Sequence, residues 1–157
     1  MAQSNKLTLA KLNAIDNKQN QQKTIYVTDE KYEVVICTHF RESAISKIID
    51  EADKLARATI TLETEGEDHI GIFVGLITTF MLKEFTDLPF PKKYTAEVLI
   101  QYAKKYLDTG INTEVMQSFP QNEIEKVWDR ASKYAKLTRD ITAQAIKDTM
   151  DELQNAD

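Results

Sequence analysis

A mainly helical α+β domain, with an N-terminal β-hairpin packed on a bundle of about four to five helices, is the fold the sequence predicts. Two observations carry this expectation. Between residues 24 and 37, short runs of β-branched and aromatic residues alternate with a period of two; from about residue 40 onward, apolar residues recur at i, i+3 and i+4. A third observation bounds it: 157 residues suit one domain, able to bury roughly two thirds of its unfolded surface.

The first 23 residues read as an arm and linker preceding a domain that spans 24–157. Leu7, Leu9, Leu12 and Ile15 suit a short apolar helix or an extended arm that docks on its own domain or on a neighbour. Asn17 to Lys23 is rich in Asn, Gln and Lys, with little to bury, and reads as flexible. Thr24–Thr28 and Tyr32–Cys37 then form the expected hairpin, with Ile25 and Val27 on one face of the first strand and Val34 and Ile36 on one face of the second. The intervening residues hold no Asn-Gly or Asp-Gly pair, so a three- to five-residue loop is expected. A lone hairpin is marginal in water, and its unpaired edge is a candidate contact surface.

The helix expected over about 40–58 has the cleanest stripe, Ile45, Ile48, Ile49, Ala52, Leu55 and Ala56, with Thr38 as a candidate N-cap. An acidic loop, Thr61 to Asp68, follows, and Thr64 with Glu67 has capping-box spacing. The next helix, about 65–85, does not fit one stripe. Ile70, Phe73, Val74, Ile77 and Met81 make an expected core face, while Ile72, Leu76 and Phe80 form a second row at i, i+4, i+8. Leaving that row in water would forgo about 1.5–3 kcal/mol per side chain, so either a central place in the bundle or a partner must cover it. The Pro89 and Pro91 region ends this helix. A further helix is expected over about 95–107, with Val98, Leu99, Tyr102, Tyr106 and Leu107 on its packed side and Gly110 as its stop. After a short segment at 111–116, Pro120 and the Asn122–Glu125 spacing announce the last helix. It packs through Ile124, Val127, Trp128, Ala131 and Ala135. Beyond Leu137 the apolar density falls, and Ile141, Ile146 and Met150 lie on a charged background, in a helix that protrudes or orders on a partner.

Chemistry has little foothold. Cys37 and His39 have the residue types of a nucleophilic pair, but no third group is identified to orient them, and a half-buried cysteine used as a small hydrophobe is the simpler assignment. His69 with Asp68, Glu63, Glu65 and Glu67 lacks both calcium-loop and zinc-helix spacing; its acids suit a helix's first turn. No phosphate-binding glycine loop or nucleophile elbow is present, so no catalytic residue, metal or other cofactor is expected. The net charge of −5 disfavours nucleic acid, and the apolar run 70–82 is too short and too interrupted to span a membrane. A single cysteine and no apolar secretory core point to a reducing cytosol. From the residues alone, a small helical domain that binds another protein is expected. Its partner-binding candidates are Ile72, Leu76, Phe80, Ile141, Ile146 and Met150.

The element order adds a resemblance. A leucine-containing N-terminal segment, the hairpin Lys23-Thr-Ile-Tyr-Val-Thr with Tyr32-Glu-Val-Val-Ile, and Thr38-His-Phe-Arg-Glu-Ser-Ala-Ile entering a charged helix cover roughly residues 7–60. This pattern resembles the tail assembly chaperones of long-tailed phages and prophages of Gram-positive bacteria. The resemblance implies a non-enzymatic protein that self-associates, keeps the tape-measure protein soluble and helps the tail-tube protein polymerise around it. The competing expectation is a small cytosolic adaptor or regulator of phage origin.

Overall fold

Period-two alternation becomes a two-stranded antiparallel sheet in the computed structural model of the chain. The structure describes residues 6–59 and 66–154, and their side chains except at 66–70, 142, 146 and 149–154. Strand β1 (Gln22–Val27) pairs with β2 (Tyr32–Cys37) so that Ile25 faces Val34 and Lys23 faces Ile36. Val27, Val34 and Ile36 are buried, as the alternation requires. The loop has four residues, Thr28 to Lys31, and three of them take positive φ: Thr28 at 57°, Asp29 at 54° and Glu30 at 63°. Left-handed backbone at a β-branched threonine is strained. Glu114 holds it in place, its two carboxylate oxygens each accepting from the Thr28 N–H at 3.1 Å.

Among the described residues, six helices follow the chain order around this hairpin: α1 (Leu9–Lys18) before it, then α2 (Glu42–Thr59), α3 (Gly66–Phe85), α4 (Ala96–Asp108), α5 (Ile111–Ser118) and α6 (Gln121–Gln154). The mainly α fold with a hairpin is as expected, and the segment after Gly110 is a complete helix. The 17–23 segment differs from its linker assignment: Lys18 ends α1 and Gln22 already belongs to β1. Thr8 caps α1, its side-chain oxygen accepting from the Lys11 N–H. No residue of α1 is buried. The helix is tied to the body through Arg41, which bonds Asp16 Oδ1 and the Asp16 carbonyl at 3.0 Å each and Asn20 Oδ1 at 3.1 Å.

The core gathers where α2 packs on α3, with the hairpin and α6 closing over it. Ile45, Ile48, Ile49, Ala52 and Ala56 of α2 are all buried, and Leu55 is half-buried. Phe40 lies at the centre. Its ring stacks on Phe85 at a centroid distance of 3.8 Å and meets Phe119 edge-on at 5.0 Å. Thr38 is not the N-cap of α2, which begins only at Glu42; its N–H instead extends the hairpin by donating to the Gln21 carbonyl. The helix announced by Pro120 and the Asn122–Glu125 spacing begins at Gln121, and the Asn122 side-chain amide donates to the Glu123 carboxylate. The Thr64–Glu67 capping box falls outside the described residues.

The outer edge of β2, expected to be unpaired, is covered. Thr86 bridges Ile36, the Asp87 N–H donates to the Val35 carbonyl at 3.1 Å, and the Val35 N–H donates to Asp87 Oδ1 at 2.8 Å. The chain leaving α3 therefore serves as a short third strand, which removes that edge as a docking surface.

Candidate partner-binding site

The second apolar row of α3 splits when the helix is seated. Leu76 and Phe80 are 1% and 2% exposed and belong to the core, a correction to their assignment as surface contacts. The reason is that α3 is covered from two sides: α2 takes one face, and α4 with the segment before it takes another. Phe80 meets Tyr94 edge-to-face at 6.0 Å, and the Tyr106 hydroxyl donates to the Pro89 carbonyl, pinning that segment. Conversely Val74, assigned to the core face, is 42% exposed. Only Ile72 of the row stays half-buried, at the lip of a groove.

That groove lies between α3 and α4 and encloses about 400 Å³. Its α3 wall runs from Gly71 through Gly75 and Leu76 to Leu82. Ile100, Ala103 and Leu107 make the α4 wall, and Asn112 at the start of α5 closes one part of it. Leu107 was expected on the packed side of α4, yet it is 58% exposed on this rim. Lys104 is the single charged residue in the lining. Periodicity alone does not find Lys104 or Asn112, because both are polar: Lys104 stands on the α4 wall itself, and Asn112 is brought to the trough by the α4–α5 turn at Gly110, whose φ is 77°.

Of the other candidates, Ile141 is 60% exposed on α6, with Leu137 beside it at 59%. Ile146 and Met150 lie outside the described side chains. Cys37 and His39 line one shallow cleft with Arg41 and Glu84. Burial pushes the Cys37 thiol up, a hydrogen bond from Gln22 lowers it, and Glu84 raises it further, so the net effect opposes thiolate formation. Among the described residues, no group of three or more His, Cys, Asp or Glu is placed to hold a metal ion. Nor, among them, is any helix long and apolar enough to cross a membrane.

Two buried acids escaped the sequence reading. Glu123 accepts from the Phe40 N–H at 2.7 Å and the Lys126 ammonium at 2.6 Å, and lies 3.7 Å from His39 Nδ1. Lys126 also donates to the Phe40 carbonyl, so one ion pair holds both backbone groups of the central phenylalanine. Burial pushes the Glu123 carboxyl up, but Lys126, the Phe40 N–H and His39 outweigh it and hold the group below the ordinary carboxylate range. Asp53 accepts from Arg57 at 2.8 Å and from the Tyr134 hydroxyl at 2.9 Å, joining α2 to α6. Both acids are occupied in holding helices together.

A family model described as YomO matches residues 9–157. The chain belongs to the YomO family. The SPbeta prophage-derived uncharacterized protein YomO of Bacillus subtilis (strain 168) is 26% identical over 144 residues, covering 88% of this chain and 80% of that relative. Membership of the YomO family and this relative support a prophage origin. No solved structure matches.

Proposed function

We propose that the protein is a non-enzymatic tail assembly chaperone of a phage or prophage, which holds amphipathic helices of the tape-measure protein in the α3–α4 groove. The observation that carries this is the groove itself, an open apolar trough rimmed by Ile72 and Leu107 on a chain whose buried acids are engaged in packing. Helix-in-groove recognition needs apolar anchors at i, i+3, i+4 and i+7 laid against such a trough. The prophage relative and the element order of residues 7–60 support the phage setting. Tail-tube protein and a second copy of this chain are the further partners of this role, in the host cytoplasm.

Co-expression with the tape-measure protein of the same prophage is the test. The tape-measure protein is expected in the soluble fraction with this chain and in inclusion bodies without it. Ile72→Asp with Leu107→Asp is expected to abolish the rescue while leaving the helical circular-dichroism spectrum intact, because neither side chain is a core residue. Leu76→Asp and Phe80→Asp are not suitable probes, since a charge at a buried position unfolds the domain. A tape-measure protein that stays insoluble and does not co-purify sinks the proposal. Specific capture of a host enzyme instead would favour the adaptor or regulator alternative.

A further inference from the structure

We infer that the segment filling the α3–α4 groove is an amphipathic helix that crosses close over Gly71 and Gly75 and sets a carboxylate against Lys104. This deepens the groove reading above and rests on it. Gly71 and Gly75 lie in the interior of the 20-residue α3, where glycine weakens a helix relative to alanine. The fold itself does not call for them: neither has a positive φ, and a Cβ built at either would meet nothing within 4 Å. Among the described residues the missing side chains relieve no contact. What they leave is room for an outside backbone to approach α3, at two positions one turn apart on the groove wall.

The shape of the trough narrows the occupant. It follows α3 from Gly71 to Leu82, twelve residues whose eleven steps rise about 16 Å at 1.5 Å each. That length matches about three helical turns, and 400 Å³ spread along it takes one row of side chains rather than a whole helix.

Charge narrows it further. Lys104 is the single charged group in the lining, and it takes no part in the ion pairs found among the described residues. Asn112 Oδ1, on the same lining, is buried without a hydrogen-bond partner. An apolar row ending in a carboxylate, with a donor reaching Asn112, satisfies both groups. Helix α1 of a second copy fits poorly, because it carries Lys11 and Lys18 and its one acid, Asp16, is engaged by Arg41.

Fluorescently labelled helical peptides of about 18 residues, long enough to hold helix on a surface, test this against the full-length protein. They share one leucine–alanine face and carry Glu, Gln or Lys at both ends of the leucine row. Anisotropy titration is expected to rank Glu above Gln by about threefold, the scale of a rim ion pair, and Gln above Lys. Lys104→Glu is expected to invert that order. Gly75→Ala is expected to weaken all three peptides while the protein melts no lower than wild type. Equal binding of the three peptides to the wild type overturns the carboxylate assignment and leaves the groove standing. Unchanged affinity in Gly75→Ala overturns the close crossing, and failure of every peptide to bind overturns the groove reading as well.

Discussion

Two residues show how local chemistry fixes the core. Glu123 is 5% exposed and bound by Lys126 and the Phe40 N–H, so replacing it removes a charge-assisted bond and leaves an ammonium without its anion. Glu123→Gln is expected to destabilise by about 1–3 kcal/mol at neutral pH, read by urea unfolding. The pH dependence follows from its lowered pKa. The folded state binds this proton more weakly than the unfolded one. The stabilisation is therefore complete above the ordinary carboxylate range and is lost as the pH falls through the lowered value. Wild type and Glu123→Gln should accordingly converge in acid; a constant gap from neutral pH into acid would refute the assignment. Thr28 is the opposite case, a β-branched residue at φ 57° whose hydroxyl is buried without a partner. Thr28→Gly relieves both faults while keeping the backbone bond to Glu114, and is expected to stabilise by about 1 kcal/mol after the entropy of glycine is deducted. None of this was legible in the sequence. Periodicity registers apolar residues, so an acid on a helix or a threonine in a loop reads as solvated until its tertiary partners are known.

At the scale of elements the sequence says more, because helices and strands declare themselves through the spacing of what they bury. The α2 stripe and the inward faces of the hairpin came through intact, each having one covered side. Helix α3 did not, since two neighbours cover it and the resulting burial has no single period. Its rows could be counted from sequence, but which row is core depends on where α4 lies. The cap at Thr38 failed because the hairpin ladder runs on to it, its backbone N–H donating to the Gln21 carbonyl, and α2 begins only at Glu42. The glycines of α3 supply the prediction proper to this scale. Gly71→Ala and Gly75→Ala should each stabilise the free protein by about 0.5–1 kcal/mol, with a rise in Tm of a few degrees at most in calorimetry. A fall in Tm for either would mean that the glycine serves the fold, against the open space found beside it.

For the whole molecule, the division of labour along α6 matters most. Its 34 residues extend about 51 Å, yet among the described residues its buried side chains end at Ala131 and its hydroxyl tie to α2 lies at Tyr134. From Ala135 to Asp148 the described side chains are exposed, apart from half-buried Thr138. Among the described residues, the body that α2 to α5 build around Phe40, Phe85 and Phe119 therefore takes no buried side chain from α6 beyond Ala131. A stability tied to buried apolar area predicts what removing the distal turns does. A variant ending at Lys136 should unfold as cooperatively as the full chain, with Tm within about 2 °C, because it gives up little buried surface. The removed segment carries Leu137 and Ile141, large apolar side chains that are 59% and 60% exposed. If these are contact residues, the variant should show weaker self-association in light scattering at equal concentration, while still binding helical peptides through the α3–α4 groove. A large loss of Tm would place the distal half of α6 within the folding unit, contrary to its exposure. Unchanged self-association would confine the working surface to the groove.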